Sequence, residues 1–174
     1  MTMITKKRLV VYVVAIYVLL SQSLIAQTNI SSSDQNSRQI ASITSLVDEI
    51  EKGLRANRFK VVQRSSEYEG RGDCLYHTFI LDSNRIVKYV RGCGSDDSAL
   101  STSFYYDSHN ILRYVIVFAN AVVGTRIEHT IYFDEVGARI LENHKLVSGP
   151  DYPFSNAWTD ENMIRNPMEI FKDR

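Results

Sequence analysis

The chain has 174 residues, of which 44% are hydrophobic and 23% charged, and its 20 basic and 20 acidic side chains balance to a formal charge of zero. This length gives room for one domain of ordinary size, and the composition is that of a globular protein rather than a disordered one. The charged residues form no basic stripe, which argues against nucleic acid as a partner because phosphate contacts require one.

Residues 1–26 have the layout of a secretory signal peptide. Three basic residues precede the apolar run LVVYVVAIYVLL, and the polar stretch SQSLIA follows it. The apolar run is shorter than the about 20 residues that a bilayer-spanning helix needs. We therefore expect a secreted or periplasmic protein, cleaved after Ala26 or after Ser23, with no membrane span after cleavage. An uncleaved N-terminal anchor is the alternative. The mature chain would keep 17 basic and 20 acidic side chains, a net charge of −3.

Residues 27–37, QTNISSSDQNS, are almost entirely polar and predict a flexible leader. A helix is predicted from about Arg38 to Ala56, because apolar residues recur at steps of three and four along one stripe. That stripe consists of Ile40, Ile43, Val47, Ile50 and Leu54. Ser37 suits the start of the helix and Asn57 its end. One narrow apolar face favours packing on the protein's own sheet, and a short coiled coil is the rival.

Between Phe59 and Val147 short runs rich in β-branched and aromatic residues alternate with turn signals. The candidate strands cover residues 59–65, 74–82, 86–93, 101–107, 111–120, 125–134 and 138–147. No connection is long enough for the crossover helix that parallel pairing requires. We therefore predict one α+β domain over residues 38–174, in which an N-terminal helix packs on a curved antiparallel β-meander of six or seven strands.

The C-terminal segment is predicted to form short helical turns. Thr159 can cap one turn, and Asn166 followed by Pro167 suits the cap and first position of another. Its apolar residues are Trp158, Met163, Ile164, Met168, Ile170 and Phe171. We expect them to close one edge or end of the sheet.

Three related phrases, FILDSNRIVKYV, FYYDSHNILRYV and IYFDEVGARIL, carry an aspartate where two strands meet. Asp82, Asp107 and Asp134 each suit the first position of a type I turn. The residues three positions later are Arg85, Asn110 and Gly137. Glycine and asparagine suit the left-handed position of a three-residue loop, whereas arginine does not. The first turn is therefore expected to be a two-residue loop with Ser83 and Asn84 at its tip.

The phrases FYYDSHNILRYV and IYFDEVGARIL resemble the Tyr-Asp and MORN-like β-hairpin repeats of secreted bacterial proteins. In those repeats an aromatic-rich strand ends in Asp-x-x-Gly and a strand with leucine or isoleucine returns. The resemblance covers about residues 75–146, where Gly137 alone supplies the glycine of the family pattern. It implies a β-meander scaffold and no particular reaction, and it offers no catalytic residue to carry over.

Cys74 and Cys93 are the two cysteines of the chain. An even count in an exported protein suggests a disulfide. If Ser83 and Asn84 form a two-residue tip, the two cysteines face each other, and with a bulged loop they lie one step apart. We therefore expect a Cys74–Cys93 disulfide. Two reduced cysteines are the alternative.

The sequence contains none of the motifs GxSxG, HExxH, P-loop or EF-hand, so we predict no catalytic site and no cofactor. In the expected register of the third hairpin Glu128 faces His144, with Glu142 diagonal on the same side. Such a trio could bind a divalent metal or shuttle a proton. A solvated, mutually neutralising surface is the favoured interpretation, and we predict no metal site.

Tyrosine and arginine side chains are expected to form a recognition surface. Tyr76, Tyr89 and Arg91 would share one face of the first hairpin, and Tyr105 would face Arg113 in the second. Such a face could bind a protein, peptide or glycan outside the cytoplasm. The alternative is that these tyrosines only reflect strand propensity.

The leading interpretation is an exported, non-catalytic binding or inhibitor-like module of unknown ligand. The first rival is a carrier whose curved sheet and helix enclose a small apolar ligand. A metal-dependent hydrolase that uses the histidines is the less favoured one. A pocket lined by apolar side chains under the helix would favour the carrier.

Overall fold

The computed structural model describes residues 32–65, 74–154 and 158–172. The predicted signal peptide and residues 27–31 of the predicted leader lie outside these ranges. Residues 39–174 form one compact unit. Within the described residues, neither helix combines the length and apolarity required to span a bilayer.

Helix α1 runs from Ser32 to Arg55, so it begins earlier than Arg38, and the prediction of a flexible leader is wrong for residues 32–37. Those residues include no proline or glycine to stop a helix, and Asp34 lies in the first turn, where it favours the helix dipole. Ser37 is consequently an interior residue and not a cap.

The predicted end of helix α1 is confirmed. Asn57 takes a positive φ of 53°. Its N–H donates to the Leu54 carbonyl at 3.0 Å, and the Arg58 N–H donates to the Gly53 carbonyl at 2.9 Å. These two bonds form a Schellman motif, which satisfies the last carbonyls of the helix and turns the chain toward the sheet.

Seven strands follow in an open antiparallel meander, in which each strand pairs only with its neighbours in the chain. The strands are β1 (Lys60–Ser65), β2 (Cys74–Asp82), β3 (Arg85–Gly94), β4 (Ser98–Tyr106), β5 (Leu112–Ala121), β6 (Arg126–Phe133) and β7 (Arg139–Ser148). A 3₁₀ turn at Asp160–Asn162 and helix α2 at Pro167–Lys172 complete the chain. The predicted α+β fold with a helix, a meander and short C-terminal turns is confirmed.

The aspartate turns have the predicted chemistry. Asp107 Oδ1 accepts backbone N–H bonds from His109 and Ile111, at 2.8 and 3.0 Å, and Asn110 takes the left-handed conformation. The Asp134 turn repeats this arrangement with Gly137 at the left-handed position. The three-residue loops are therefore built by one carboxylate oxygen that satisfies two backbone donors.

The first hairpin has the predicted two-residue tip. Asp82 pairs with Arg85, which leaves Ser83 and Asn84 as the turn. Ser83 takes a positive φ of 59°, so the prediction of a type I turn is wrong at Asp82. At the far end of the same hairpin Cys74 pairs with Cys93, as predicted. The side chain of Cys74 lies outside the described residues, so the disulfide stays a prediction.

Irregular pairing next to the tips shifts the register. One extra residue interrupts the ladder in each of three strands: Val87 in β3, Arg113 in β5 and Ile140 in β7. Such bulges bend a strand and re-aim its side chains, and they move every residue beyond them to a different partner. Three of the predicted side-chain groupings fail for this reason, one at each bulge.

The helix face of the sheet packs against α1. The buried residues of this interface are Ile43 and Ile50 of α1 and Ile80, Val87, Tyr105 and Tyr114 of the sheet, with Leu46, Val47, Leu54 and Phe59 packed around them. The apolar stripe of α1 therefore docks on the sheet of its own domain, as predicted, and a coiled coil is not needed to bury it.

The opposite face of the sheet, here called the C-terminal face, packs against residues 158–172. Its buried residues are Phe79, Leu81, Ile86, Tyr89, Phe104, Tyr106, Leu112, Val115, Val117, Ile131, Phe133 and Met163. The apolar residues of the C-terminal segment, Trp158 and Phe171 among them, cover this face. The expectation that they close an edge or end of the sheet is wrong: a sheet buried on one side by a single helix leaves a second apolar face that needs a cover.

Candidate functional site

The predicted tyrosine and arginine surface is not assembled as expected. Tyr89 and Arg91 lie opposite Phe79 and His77, so they belong to the C-terminal face, while Tyr76 lies on the other face and is 65% exposed. Because the bulge at Val87 shifts the first hairpin by one position, the shared face of Tyr76 with Tyr89 is lost.

The second predicted pair also fails. Tyr105 pairs with Tyr114, and Arg113 is the bulged residue beside them. The Tyr105 hydroxyl is directed to α1, where it donates to Glu51 Oε1 at 2.9 Å. Burial and the nearby Glu51 carboxylate raise the pKa of Tyr105. Tyr105 therefore serves the helix contact.

Tyr89 and Arg91 are engaged inside the C-terminal face. The Tyr89 hydroxyl lies 2.7 Å from His77 Nδ1. The Arg91 guanidinium donates to the Asn162 carbonyl and lies over the Phe104 ring. Burial lowers the pKa of Arg91. Neither residue presents itself on an open sheet surface.

A cleft of about 620 Å³ opens between α1 and the tips of two hairpins, β2–β3 and β4–β5. We call it the helix cleft. From α1 and the turn that follows it come Ser42, Ile43, Leu46, Glu49, Ile50, Arg58 and Phe59. From the sheet come Asp82, Arg85, Val87, Tyr106, Asp107, Ser108 and Arg113. Its volume lies in the range of small-molecule sites, which are typically about 300–1,000 Å³.

The floor of the helix cleft is apolar. Ile43 and Ile50, one helical step of seven apart, are buried beside the bulged residue Val87. Leu46 and Phe59 add partly exposed apolar surface on either side. Val87 is the bulged residue near the start of β3, and such a bulge bends the strand where it lines the cleft.

The sheet side of the helix cleft is charged but internally paired. Arg113, which is 9% exposed, donates to Asp107 Oδ2 at 3.0 Å and to the Phe133 carbonyl. Burial opposes ionisation of Asp107, yet the hydrogen bonds from Ile111, Arg113 and His109 prevail and lower its pKa. Arg85 donates to the Asp107 carbonyl and to Asp82. These pairs hold the two hairpin tips in one fixed arrangement.

The helix side of the cleft carries a cation that is held differently. Arg58 Nη2 donates to the Glu49 carbonyl at 3.2 Å, and its guanidinium lies 5.6 Å from the centre of the Phe59 ring. Among the described residues no carboxylate forms an ion pair with Arg58. An exposed guanidinium beside an aromatic ring offers a hydrogen-bonding fork to an anionic group.

The predicted trio of Glu128, Glu142 and His144 is also corrected. The bulge at Ile140 places His129, not Glu128, opposite His144, and Glu128 pairs with Lys145. The two histidines and Glu142 then gather on the C-terminal face beside Trp158. No group of three or more ligating side chains suited to a metal ion occurs within residues 32–65, 74–154 and 158–172.

Of the five residues predicted to bind a ligand, Arg113 alone lines the helix cleft. Arg58 and the apolar floor were missed because the pocket arises from the meeting of helix and sheet. A signal existed in the residues after α1, where Arg58 and Phe59 follow a C-terminal Asn57 and precede the first strand.

Comparison with known proteins found no family model, no curated protein and no solved structure that matches this chain. The geometry of the site is therefore what any functional assignment has to stand on. The resemblance to Tyr-Asp and MORN-like repeats remains a prediction.

Proposed function

We propose that the chain is an exported, non-catalytic binding module that takes a small amphipathic molecule in the helix cleft. The observation that carries the proposal is the combination of an apolar floor with a cation at the rim. Ile43, Ile50 and Val87 would contact an apolar body, and Arg58 would hold an anionic group such as a carboxylate or sulfonate.

This proposal joins the binding module expected from the sequence to its rival, the carrier of a small apolar ligand. Recognition of a protein or glycan by a tyrosine and arginine face has lost its support, because Tyr76 and Tyr89 lie on different faces. A hydrolase that uses Glu128, Glu142 and His144 has lost its support too, since Glu128 lies away from the histidines.

The test uses 8-anilinonaphthalene-1-sulfonate, an aromatic anion whose fluorescence rises in apolar surroundings, with octanoate and decanoate as competitors. We expect saturable binding of one probe per chain and displacement by the carboxylates, decanoate being the stronger because it buries more methylene groups. Equal displacement by octanol and octanoate would contradict the role of Arg58.

Ser42→Phe fills the helix cleft from an exposed position on α1 and should weaken binding at least about tenfold, a loss of about 1.4 kcal/mol. Ser45→Phe is the matched control, because Ser45 is exposed on the same helix and does not line the cleft. Arg58→Gln should weaken binding of the anionic probe, whereas Arg126→Gln should leave its binding unchanged. Unchanged binding by Ser42→Phe would overturn the proposal.

Export and the disulfide belong to the same proposal. Supporting them are the signal-like layout of residues 1–26 and the direct pairing of Cys74 with Cys93. Intact-mass measurement of the exported chain should give an N-terminus at Gln27 or Leu24. Alkylation without reductant should label no cysteine, and a chain that takes up two alkyl groups would contradict the bridge.

A further inference from the structure

Two histidines meet on the C-terminal face where β6 pairs with β7. His129 Nδ1 lies 3.1 Å from His144 Nδ1, and His129 Nε2 lies 2.8 Å from Glu142 Oε1. His129 is 3% exposed, whereas His144 is an exposed residue of the edge strand. Both nitrogens of one buried imidazole are therefore engaged.

The protons of this group follow from its partners. Arg139 Nη1 bonds Glu142 Oε2 at 2.6 Å, and burial of Glu142 is outweighed by the bonds from Arg139 and His129, which lower the pKa of its carboxyl. An ionised carboxylate only accepts, so His129 Nε2 carries a proton. Neutral His129 then has its lone pair on Nδ1, and His144 Nδ1 must be the donor between the two rings.

A proton added to His129 can go only to Nδ1. It would face the Nδ1 proton of His144 at 3.1 Å, and two donors that point at each other repel. His144 is on the exposed edge strand and can turn away, whereas His129 is held by Glu142. Neutral His144 can carry its proton on Nε2 and accept this bond, so the contact is lost only when both rings are protonated and each Nδ1 is a donor.

Trp158 connects this pair to the C-terminal segment. Its ring stacks on His129 with centroids 4.6 Å apart at 14°, and it also lies 5.7 Å from the His144 ring. Arg139 bonds the Trp158 carbonyl at 2.6 Å and Asp160 Oδ1 at 3.0 Å. The start of the segment that covers the C-terminal face is therefore held by contacts with His129, His144 and Arg139.

We propose that His129 and His144 form a pH-sensitive clasp, which holds Trp158 and the following turn on the sheet when His129 is neutral and loosens them when both histidines are protonated. The proposal is independent of the helix cleft, which lies across the sheet. The charged groups that face the clasp are Arg139 and Glu142 on β7 and Asp160 on the C-terminal segment.

The direction of the effect follows from the surroundings of His129. Burial lowers its pKa, and the hydrogen bond to Glu142 opposes this without reversing it. His129 in the folded protein therefore binds its proton at a lower pH than in the unfolded chain, whose histidines have a pKa of about 6.5. The clasp contributes its full stability above that pH and loses it as the pH falls through the folded-state pKa of His129.

The chain reports on its own clasp, because Trp158 is its single tryptophan. We expect the tryptophan emission of the full chain to change in one step between pH 7.5 and 4.5, with a midpoint below 6.5. In the same range, the hydrogen-exchange rate of residues 158–166, corrected for the intrinsic effect of pH, should increase several-fold as the pH falls. The corrected rate of β4 should stay unchanged.

His144→Gln should abolish the faster exchange, because a glutamine stays neutral at low pH and can present its carbonyl to a protonated His129. His109→Gln is the matched control: His109 lies exposed at a hairpin tip, and the step should persist. An emission step without faster exchange would mean that protonation only quenches Trp158, and it would overturn the clasp. The same step and exchange in His144→Gln would overturn it as well.

Discussion

The two faces of the sheet are buried in different ways. The C-terminal face holds twelve buried residues in its main cluster, five of which are fully buried aromatic side chains, under a short segment of turns. The helix face holds six, and the cleft enters between helix and strand ends. A rigid helix touches a twisted sheet along one line, whereas an irregular segment follows its surface. The comparison indicates that stability is concentrated on one face and binding space on the other.

The largest effect should come from the C-terminal face. Phe104→Ala removes a fully buried ring that lies beside Tyr89, with ring centroids 5.6 Å apart. We expect a loss of about 4 kcal/mol in the free energy of unfolding, because a large cavity would open in a tightly packed cluster. Urea denaturation followed by far-UV circular dichroism measures it. A loss smaller than that of the helix-face variant Ile50→Ala would contradict the conclusion that stability is concentrated on the C-terminal face.

The second effect separates two hairpin tips with the same turn chemistry. Asp107→Ala and Asp134→Ala each remove a carboxylate that accepts two backbone N–H bonds. Only the first also leaves the buried Arg113 without its ion-pair partner. We expect losses of about 3 and about 1 kcal/mol respectively. Equal losses in the same denaturation experiment would show that the Arg113 pair contributes nothing.

The Asp107 variant also has a pH signature. Because the folded state lowers the pKa of Asp107, its contribution is complete above the unfolded value of about 3.9 and disappears as the pH falls through the folded one. The free energy of unfolding of Asp107→Asn should therefore lie below that of the parent chain at neutral pH, and this difference should shrink below about pH 4. A deficit that stays constant from pH 6 to 3 would argue against an ionised Asp107.

A smaller effect is expected on the helix face. Ile50→Ala shortens a buried side chain beside the helix cleft, where neighbouring groups and water can fill the space. We expect about 2 kcal/mol, the lower end for such a truncation. Val136→Ala is the control, since Val136 is 88% exposed and should cost less than about 0.5 kcal/mol.

The smallest effect concerns the ion pair that joins α1 to the sheet. Glu51 lies 2.7 Å from Lys88 Nζ and accepts from Tyr105. Glu51→Gln should cost about 1 kcal/mol or less, because the pair is partly open to solvent, and 0.5 M salt should reduce the difference. Asp48→Asn, an exposed change on the same helix, should be neutral. A loss as large as that of Ile50→Ala would mean that the ion pair stabilises the docking of α1 as much as apolar packing does.

The sequence predicted most reliably what is decided locally. The Schellman end at Asn57 and the turns at Asp82, Asp107 and Asp134 depend on a few adjacent residues, and all four were found. The groupings across strands failed, because bulges at Val87, Arg113 and Ile140 leave no local signature. A bulge is set by how strands bend to meet the helix and the C-terminal segment, which is information from distant parts of the chain. The single extra residue Ile140 places His129, and not Glu128, opposite His144.

Each strand of the meander pairs only with the strand before and after it in the chain. Most of the ladder is therefore built from contacts between residues close in sequence, for which the loop-closure entropy is small. Assembly can proceed hairpin by hairpin, with the aspartate turns as starting points. A fully extended chain could therefore form its sheet without first bringing its two ends together.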